Sequence, residues 1–199
     1  MIVISSLLLA CQQKPKETII QGRVIEYDPN TNYVKIIRDA NNDMVKPNYN
    51  TLPLMTFELP KEIIPKGSEP TDGYRIALNS DEGIIKVYDP QNNIFKDLKI
   101  SIIDKKLNIQ RDDPLVFDKD KKQSIIFPII NKEKKKIMLY SQRQKIYLIF
   151  KVDDSLFSMP EKTWRAGDDV KISVQSDNKI TKITNLTKSD LLNFKTQKQ

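Results

Sequence analysis

Val170-Lys171-Ile172-Ser173-Val174-Gln175, followed by the turn Ser176-Asp177-Asn178 and by residues 180–186, decides how this chain folds. Val170, Ile172 and Val174 alternate with Lys171, Ser173 and Gln175. A period of two belongs to a strand with one buried and one wet face. The polar turn between two such runs predicts an antiparallel hairpin. Residues 19–27 and 33–38 repeat the pattern around Asp28-Pro29-Asn30-Thr31-Asn32, and residues 52–59 form a short strand bracketed by Pro53 and Pro60. After a connection over 61–72 that carries Pro65, Gly67 and Pro70, strands are expected at 74–78, 84–88 and 94–103. Further strands are expected at 107–109, 115–117, 125–130, 137–140 and 146–152, separated by charged turns. Spacings of about ten residues with polar turns signal a sandwich or barrel. Helix is confined to one short turn within 153–161 and a final turn over 190–194, capped by Ser189. The expected fold is all-β, with one or two small antiparallel barrels.

One internal similarity stands out. Tyr27-Asp28-Pro29-x-x-Asn32 matches Tyr88-Asp89-Pro90-x-x-Asn93. Either two related barrels share it, or one effective turn sequence is used twice.

Composition excludes several chemistries. There is no histidine, and Cys11 is the only cysteine. An intramolecular disulfide, a thiolate metal cluster and covalently attached c-type haem are thereby excluded. So are serine–histidine and cysteine–histidine hydrolase schemes and histidine-based zinc sites. The formal net charge is +7, from 33 Lys+Arg against 26 Asp+Glu, with the basic residues widely spread. That balance suits anionic headgroups, an acidic partner or a wall polymer, and no nucleic acid is expected.

At the start, the uncharged run over 2–9 closes on Ala10 and Cys11. A secretory signal ends its apolar segment in small residues before a cleavage site. Leu8-Leu9-Ala10-Cys11 resembles a bacterial lipobox, which implies that Cys11 is acylated and becomes the new N-terminus. No Lys or Arg precedes the run, and Leu9 is larger than is usual there. A spanning helix needs ~20 apolar residues, so the run is too short to cross a bilayer. Residues 11–18 then form a polar tether, and the chain is expected to be anchored to a membrane by lipid without spanning it. Gln12, rather than Asp, after the cysteine favours the periplasmic face of the outer membrane, as the lipoprotein resemblance implies.

Three pieces resemble the small periplasmic copper chaperones with an OB-like five-stranded barrel. These are Gln21-Gly22-Arg23-Val24-Ile25-Glu26-Tyr27-Asp28 with Lys35-Ile36-Ile37-Arg38; Leu52-Pro53-Leu54-Met55-Thr56-Phe57; and Ala166-Gly167-Asp168-Asp169-Val170-Lys171-Ile172 with Ile180-Thr181-Lys182-Ile183. The resemblance implies an OB-like barrel from 19–60 and 155–188, interrupted by a β-rich insertion over 61–154. The family's Cu(I) site does not carry over. Arg38 stands near the histidine place, Leu52 replaces the tryptophan and Phe57 the second methionine, which leaves Met55 alone. A single methionine on a strand is a core filler before it is a ligand, so no metal or other cofactor is expected. The whole chain also resembles an uncharacterised family of short bacterial lipoproteins. Gln21-Gly22-Arg23-Val24, Ile36-Ile37-Arg38-Asp39, Leu115-Val116-Phe117-Asp118-Lys119, Ser141-x-Arg143-Gln144-Lys145 and Trp164-x-Ala166-Gly167-Asp168 carry that likeness.

The acidic pairs Asp112-Asp113, Asp153-Asp154 and Asp168-Asp169 read as solvated turn acids rather than catalytic carboxylates. Arg143 and Lys145, with Lys134-Lys135-Lys136 and flanking Tyr140 and Tyr147, are expected to form a basic patch on one hairpin. Trp164 reads either as an exposed binding anchor or as a lid over a barrel end. The sequence therefore predicts a lipid-anchored envelope protein that is not an enzyme. It would bind a protein partner or an anionic envelope component through Arg143, Lys145 and Trp164. The competing expectation is a small-ligand or metal carrier that keeps Met55.

Overall fold

The computed structural model describes residues 16–189. Cys11, the apolar run before it and the turn expected over 190–194 lie outside the described residues. The architecture is mostly β, in antiparallel sheets with only short helical turns.

The largest sheet has five strands: β1 (Glu17–Asp28), β2 (Tyr33–Arg38), β3 (Met55–Glu58), β13 (Asp169–Gln175) and β14 (Ile180–Asn185), in the order β14-β13-β1-β2-β3. It curls into a half-barrel. Val24, Val34, Ile36, Leu59, Val170, Ile172 and Ile183 fill its concave side. Register shifts, with Ile25 the extra residue on β1 opposite β2 and Thr181 the extra residue on β14 opposite β13, bend the sheet. At Gly22 a Cβ would sit 2.6 Å from Ile36 Cδ1 and from the Ile37 carbonyl oxygen, so only glycine allows β1 and β2 to close there. A 3-10 turn, Lys61–Ile63, follows β3, and Ile63 and Ile64 pack against the same core.

Between β3 and β13 the chain builds two further sheets. β4 (Arg75–Asn79), β5 (Ile84–Asp89) and β6 (Ile94–Lys99) form a three-stranded meander. β7 (Ser101–Lys106), β10 (Ile129–Asn131), β11 (Lys136–Ser141) and β12 (Ile146–Lys151) form a sheet in the order β10-β11-β12-β7. A small pair, β8 (Phe117–Asp118) and β9 (Gln123–Ser124), sits between β7 and β10 in the chain. The two larger sheets share one core, with Leu78, Ile85, Val87 and Leu98 from the first and Ile137, Leu139, Leu148 and Phe150 from the second. The single strand expected over 94–103 is in fact two. The chain changes sheet at Ile100, whose N–H is held by the Gly83 carbonyl at 2.9 Å. Residues 107–109 are not strand, and most of 125–130 is irregular around a cis Phe127-Pro128 bond. Two helical turns, α1 (Asp154–Phe157) and α2 (Glu161–Trp164), return the chain to β13.

Trp164 is 0% exposed and meets Phe150 edge-on at 5.8 Å. It belongs to the core between the inserted sheets, not to the surface, which corrects the expectation of an exposed anchor. The reason is local. Pro160 starts α2, and one helical turn carries the indole inward while Arg165, the next residue, is extended.

The β4–β6 sheet lies against the other face of the half-barrel. Val24-Ile25 and Ile36-Ile37 are buried at consecutive positions, which an alternating strand with a wet face would not be. Ile25 and Ile37 form a second core with Tyr49, Ile76 and Tyr88. The seam is tight. A Cβ on Gly167 would come within 1.7 Å of the Val24 carbonyl oxygen, and the Val24 N–H donates to the Asp168 carbonyl at 2.9 Å.

The repeated Tyr-Asp-Pro segment forms the same turn twice. Asn32 and Asn93 both take the left-handed conformation, at φ 55 and 53 degrees. Asp28 and Asp89 accept from the backbone N–H two residues on, at 2.9 and 3.0 Å. The first turn closes a half-barrel hairpin and the second an inserted one, so one turn sequence serves two different sheets.

Candidate functional site

Asp169 is the centre of the site. It opens β13, and the antiparallel register places it directly opposite Arg23 on β1. Only 3% of the residue is exposed. A buried carboxylate is costly unless charge and hydrogen bonds surround it, and here they do. Arg23 forms a two-point contact, Nε to Oδ1 at 2.9 Å and Nη2 to Oδ2 at 3.2 Å. The Tyr49 hydroxyl donates to Oδ1 at 2.7 Å, and Arg143 Nη2 donates to Oδ2. Burial alone would raise the Asp169 pKa, but Arg23 and Arg143 together with these hydrogen bonds more than reverse it, and the group is held below its ordinary value. Tyr49 is pushed up by burial and by the carboxylate beside it, so it stays a neutral donor. The carboxylate is therefore ionised and fully engaged, a structural hub rather than a proton-transfer group.

Each partner arrives from a different part of the chain. Tyr49 is delivered by the loop after β2, which Asp39 organises. The Asp39 carboxylate accepts from the N–H groups of Asn41, Asp43 and Asn48, at 3.0, 2.8 and 2.6 Å, and from Gln21 Nε2 at 2.8 Å. Arg23 also lies over the Tyr49 ring, 4.5 Å from its centroid, and donates from Nη1 to the Ile76 carbonyl at 2.6 Å. Arg143 comes from the β11–β12 turn. That turn is fixed across the cleft by Gln144 Nε2 donating to the Leu78 carbonyl at 2.9 Å, and by the Ile109 N–H donating to the Lys145 carbonyl at 3.0 Å.

These residues form the floor of a cleft of about 1130 Å³ between half-barrel and insertion, walled by Arg75, Arg111 and Lys145 as well as Arg23, Arg143 and Tyr49. Cation predominates there beyond what the carboxylates balance. Arg165 is paired with Asp72, and Lys188 with Asp168. Arg75 is different. It is 8% exposed, and no hydrogen bond or ion pair reaches its guanidinium among the described residues. Its pKa is lowered to about 10, by burial first and by the Arg23 charge second, so at neutral pH it remains a buried cation. Arg75 Nε, Arg111 Nε and Arg143 Nη1 are all buried without an acceptor among the described residues. Buried donors are ordinarily paired, and these three nitrogens belong to residues that line this one cleft. Among the described residues no group of three or more Asp, Glu or Cys could hold a metal ion.

The sequence-predicted residues fare differently. Arg143 and Lys145 both reach the cleft. Trp164 does not, being core. Lys134, Lys135 and Lys136 lie at the opposite end of β11 from Arg143, and Lys135 pairs with Asp154, so no single basic patch unites them. Tyr140 and Tyr147 pack on Phe127 at 6.2 and 6.0 Å instead of offering a stacking platform. Asp168 and Asp169 are not solvated turn acids. Both are buried, and Asp168 accepts from the Thr71 N–H and from Asn185 at 2.9 and 2.7 Å. Met55 and Phe57 pack on the half-barrel core while Leu52 belongs to the seam core and Arg38 is exposed, so the copper-chaperone positions do not converge. Arg75, Arg111 and Tyr49 escaped sequence reading because no motif surrounds them.

Among the described residues no helix is long and apolar enough to cross a membrane. Comparison with curated proteins and with solved structures finds no match to the chain. A family model described as a domain of unknown function (DUF4881) matches residues 16–195, which include every described strand and every wall of the cleft. The chain therefore belongs to the DUF4881 family.

Proposed function

We propose that this protein is a non-catalytic binding module, held at a bacterial envelope membrane by lipid on Cys11, whose cleft takes up an acidic group of a partner or envelope component. The observation that carries the reading is the trio of buried guanidinium nitrogens on Arg75, Arg111 and Arg143 that lack an acceptor among the described residues. A fold stable for its own sake pairs or removes such groups. Functional sites are where that rule is broken. The engaged state of Asp169 and the absence of histidine argue against proton-transfer chemistry at the cleft. A second reading, a carrier of a small anionic solute, is favoured by the cleft's volume of about 1130 Å³, ample for such a ligand.

Native mass spectrometry of the full-length protein, gently solubilised from its own membrane, tests both. The proposal expects a species heavier than the lipidated chain that is lost in the Arg75→Met variant. An added polypeptide identifies a subunit role, and an added small mass identifies a carrier. A wild-type chain with no added mass, identical to the variant, contradicts the proposal.

A further inference from the structure

The three orphan donors also constrain what the anion is. Building on the anion-receptor reading, we infer that the cleft is a phosphoryl-binding site, in which Arg75, Arg111 and Arg143 coordinate the terminal oxygens of a phosphate monoester or phosphorylated headgroup.

The first reason is that all three donor residues line the same cleft. The donors come from separate elements: Arg75 from β4, Arg111 from the segment after β7 and Arg143 from the β11–β12 turn. A carboxylate offers two oxygens in one plane, whereas a phosphoryl group offers three acceptor oxygens arranged around a tetrahedron. Guanidinium groups are the preferred partners of such oxygens.

Charge is the second reason. Asp169 is shared by Arg23 and Arg143. Arg75 and Arg111 have no carboxylate partner among the described residues. The Arg23–Arg143–Asp169 group keeps one positive charge, and Arg75 and Arg111 add two more. A phosphate monoester, at about −1.5 to −2 at pH 7, offsets more of that excess than a monocarboxylate does. Arg111 is itself positioned for this role, since its Nη2 donates to the Thr187 carbonyl at 3.4 Å while the Thr187 hydroxyl accepts from the Asp169 N–H at 2.8 Å. The ligand donors and the Asp169 hub are thus mechanically linked.

The test uses the full-length chain carrying Cys11→Ser, so that no lipid contributes to binding. Inorganic phosphate, glycerol 3-phosphate and citrate are titrated calorimetrically at constant ionic strength. Flotation with phosphatidylcholine vesicles, with and without phosphatidic acid, runs in parallel. Saturable phosphate binding is expected, weakened about tenfold or more by Arg75→Met and by Arg111→Met. Affinity should rise with pH through the second phosphate ionisation near 6. Arg75-dependent flotation with phosphatidic acid supports the inference and assigns a lipid source. Binding of the soluble phosphates without flotation supports it and assigns a free solute. Arg75-dependent binding of citrate without phosphate overturns the phosphoryl inference and leaves the anion-receptor reading standing. Phosphate binding unchanged by both substitutions overturns the inference, because the site then lies elsewhere. No anion binding at all overturns both.

Discussion

At the scale of the residue, Arg75 and Asp169 are opposites. Asp169 is a buried charge given everything it needs, with guanidinium groups on two sides, a phenol and a lowered pKa. Its contribution to stability is present above the ordinary carboxylate range and is lost as pH falls through its folded value. Arg75 is a buried charge whose guanidinium has no partner among the described residues. Because its pKa is lower in the folded chain than in the unfolded one, the unfolded state holds the proton more tightly, and the charge counts against folding throughout the neutral range. Arg75→Met keeps most of the volume and removes the charge. It should therefore raise the stability of the ligand-free protein by about 1–2 kcal/mol, a few degrees in Tm. Thermal unfolding in phosphate-free buffer checks this, and a variant destabilised by a similar amount would show that Arg75 has protein partners after all. Nothing local marks this residue. Tyr74-Arg75-Ile76 reads as an ordinary strand entry, and only the cleft between two sheets makes its position unusual.

At the scale of the element, the loop after β2 is the least legible part of the sequence and the one the site depends on. Residues 39–50 read as a polar connection, yet four hydrogen bonds to one buried carboxylate fix their path. Asp39→Ala should cost about 2–3 kcal/mol. It should also release Tyr49 from Asp169 although it touches neither residue. Faster amide exchange at Asn48 and Tyr49, with a lower denaturant midpoint, is the expected result. Unchanged exchange at both would mean that the loop is held from elsewhere. Strands were legible wherever a period of two or a paired turn announced them, as in β1, β2, β5, β13 and β14. They were not legible where the chain turns a corner inside an apolar run, as at Ile100, or where a cis proline breaks one, as at Pro128.

At the scale of the whole molecule, the decisive feature is the seam. The half-barrel lends Arg23 and Asp169, and the insertion lends Arg75, Arg111 and Arg143, so the cleft exists only when both are folded and docked. The sequence carries Arg143 and Lys145 as a basic hairpin and Asp168-Asp169 as a turn. It does not carry their meeting, because the Arg143–Asp169 and Arg23–Asp169 contacts join residues 26 and 146 positions apart. Consecutive buried pairs such as Val24-Ile25 and Ile36-Ile37 are the one sequence sign that both faces of the half-barrel are covered.

Anion binding in the cleft is read out directly by following the arginine Nε–H resonances of the full chain by NMR while phosphate is added. Arg75 and Arg111 should move together and saturate, because their Nε–H groups gain acceptors. Arg23, already bonded to Asp169, and exposed Arg38 should move little. Shifts confined to Arg38, or none at all, would contradict the claim that the cleft between half-barrel and insertion is an anion receptor.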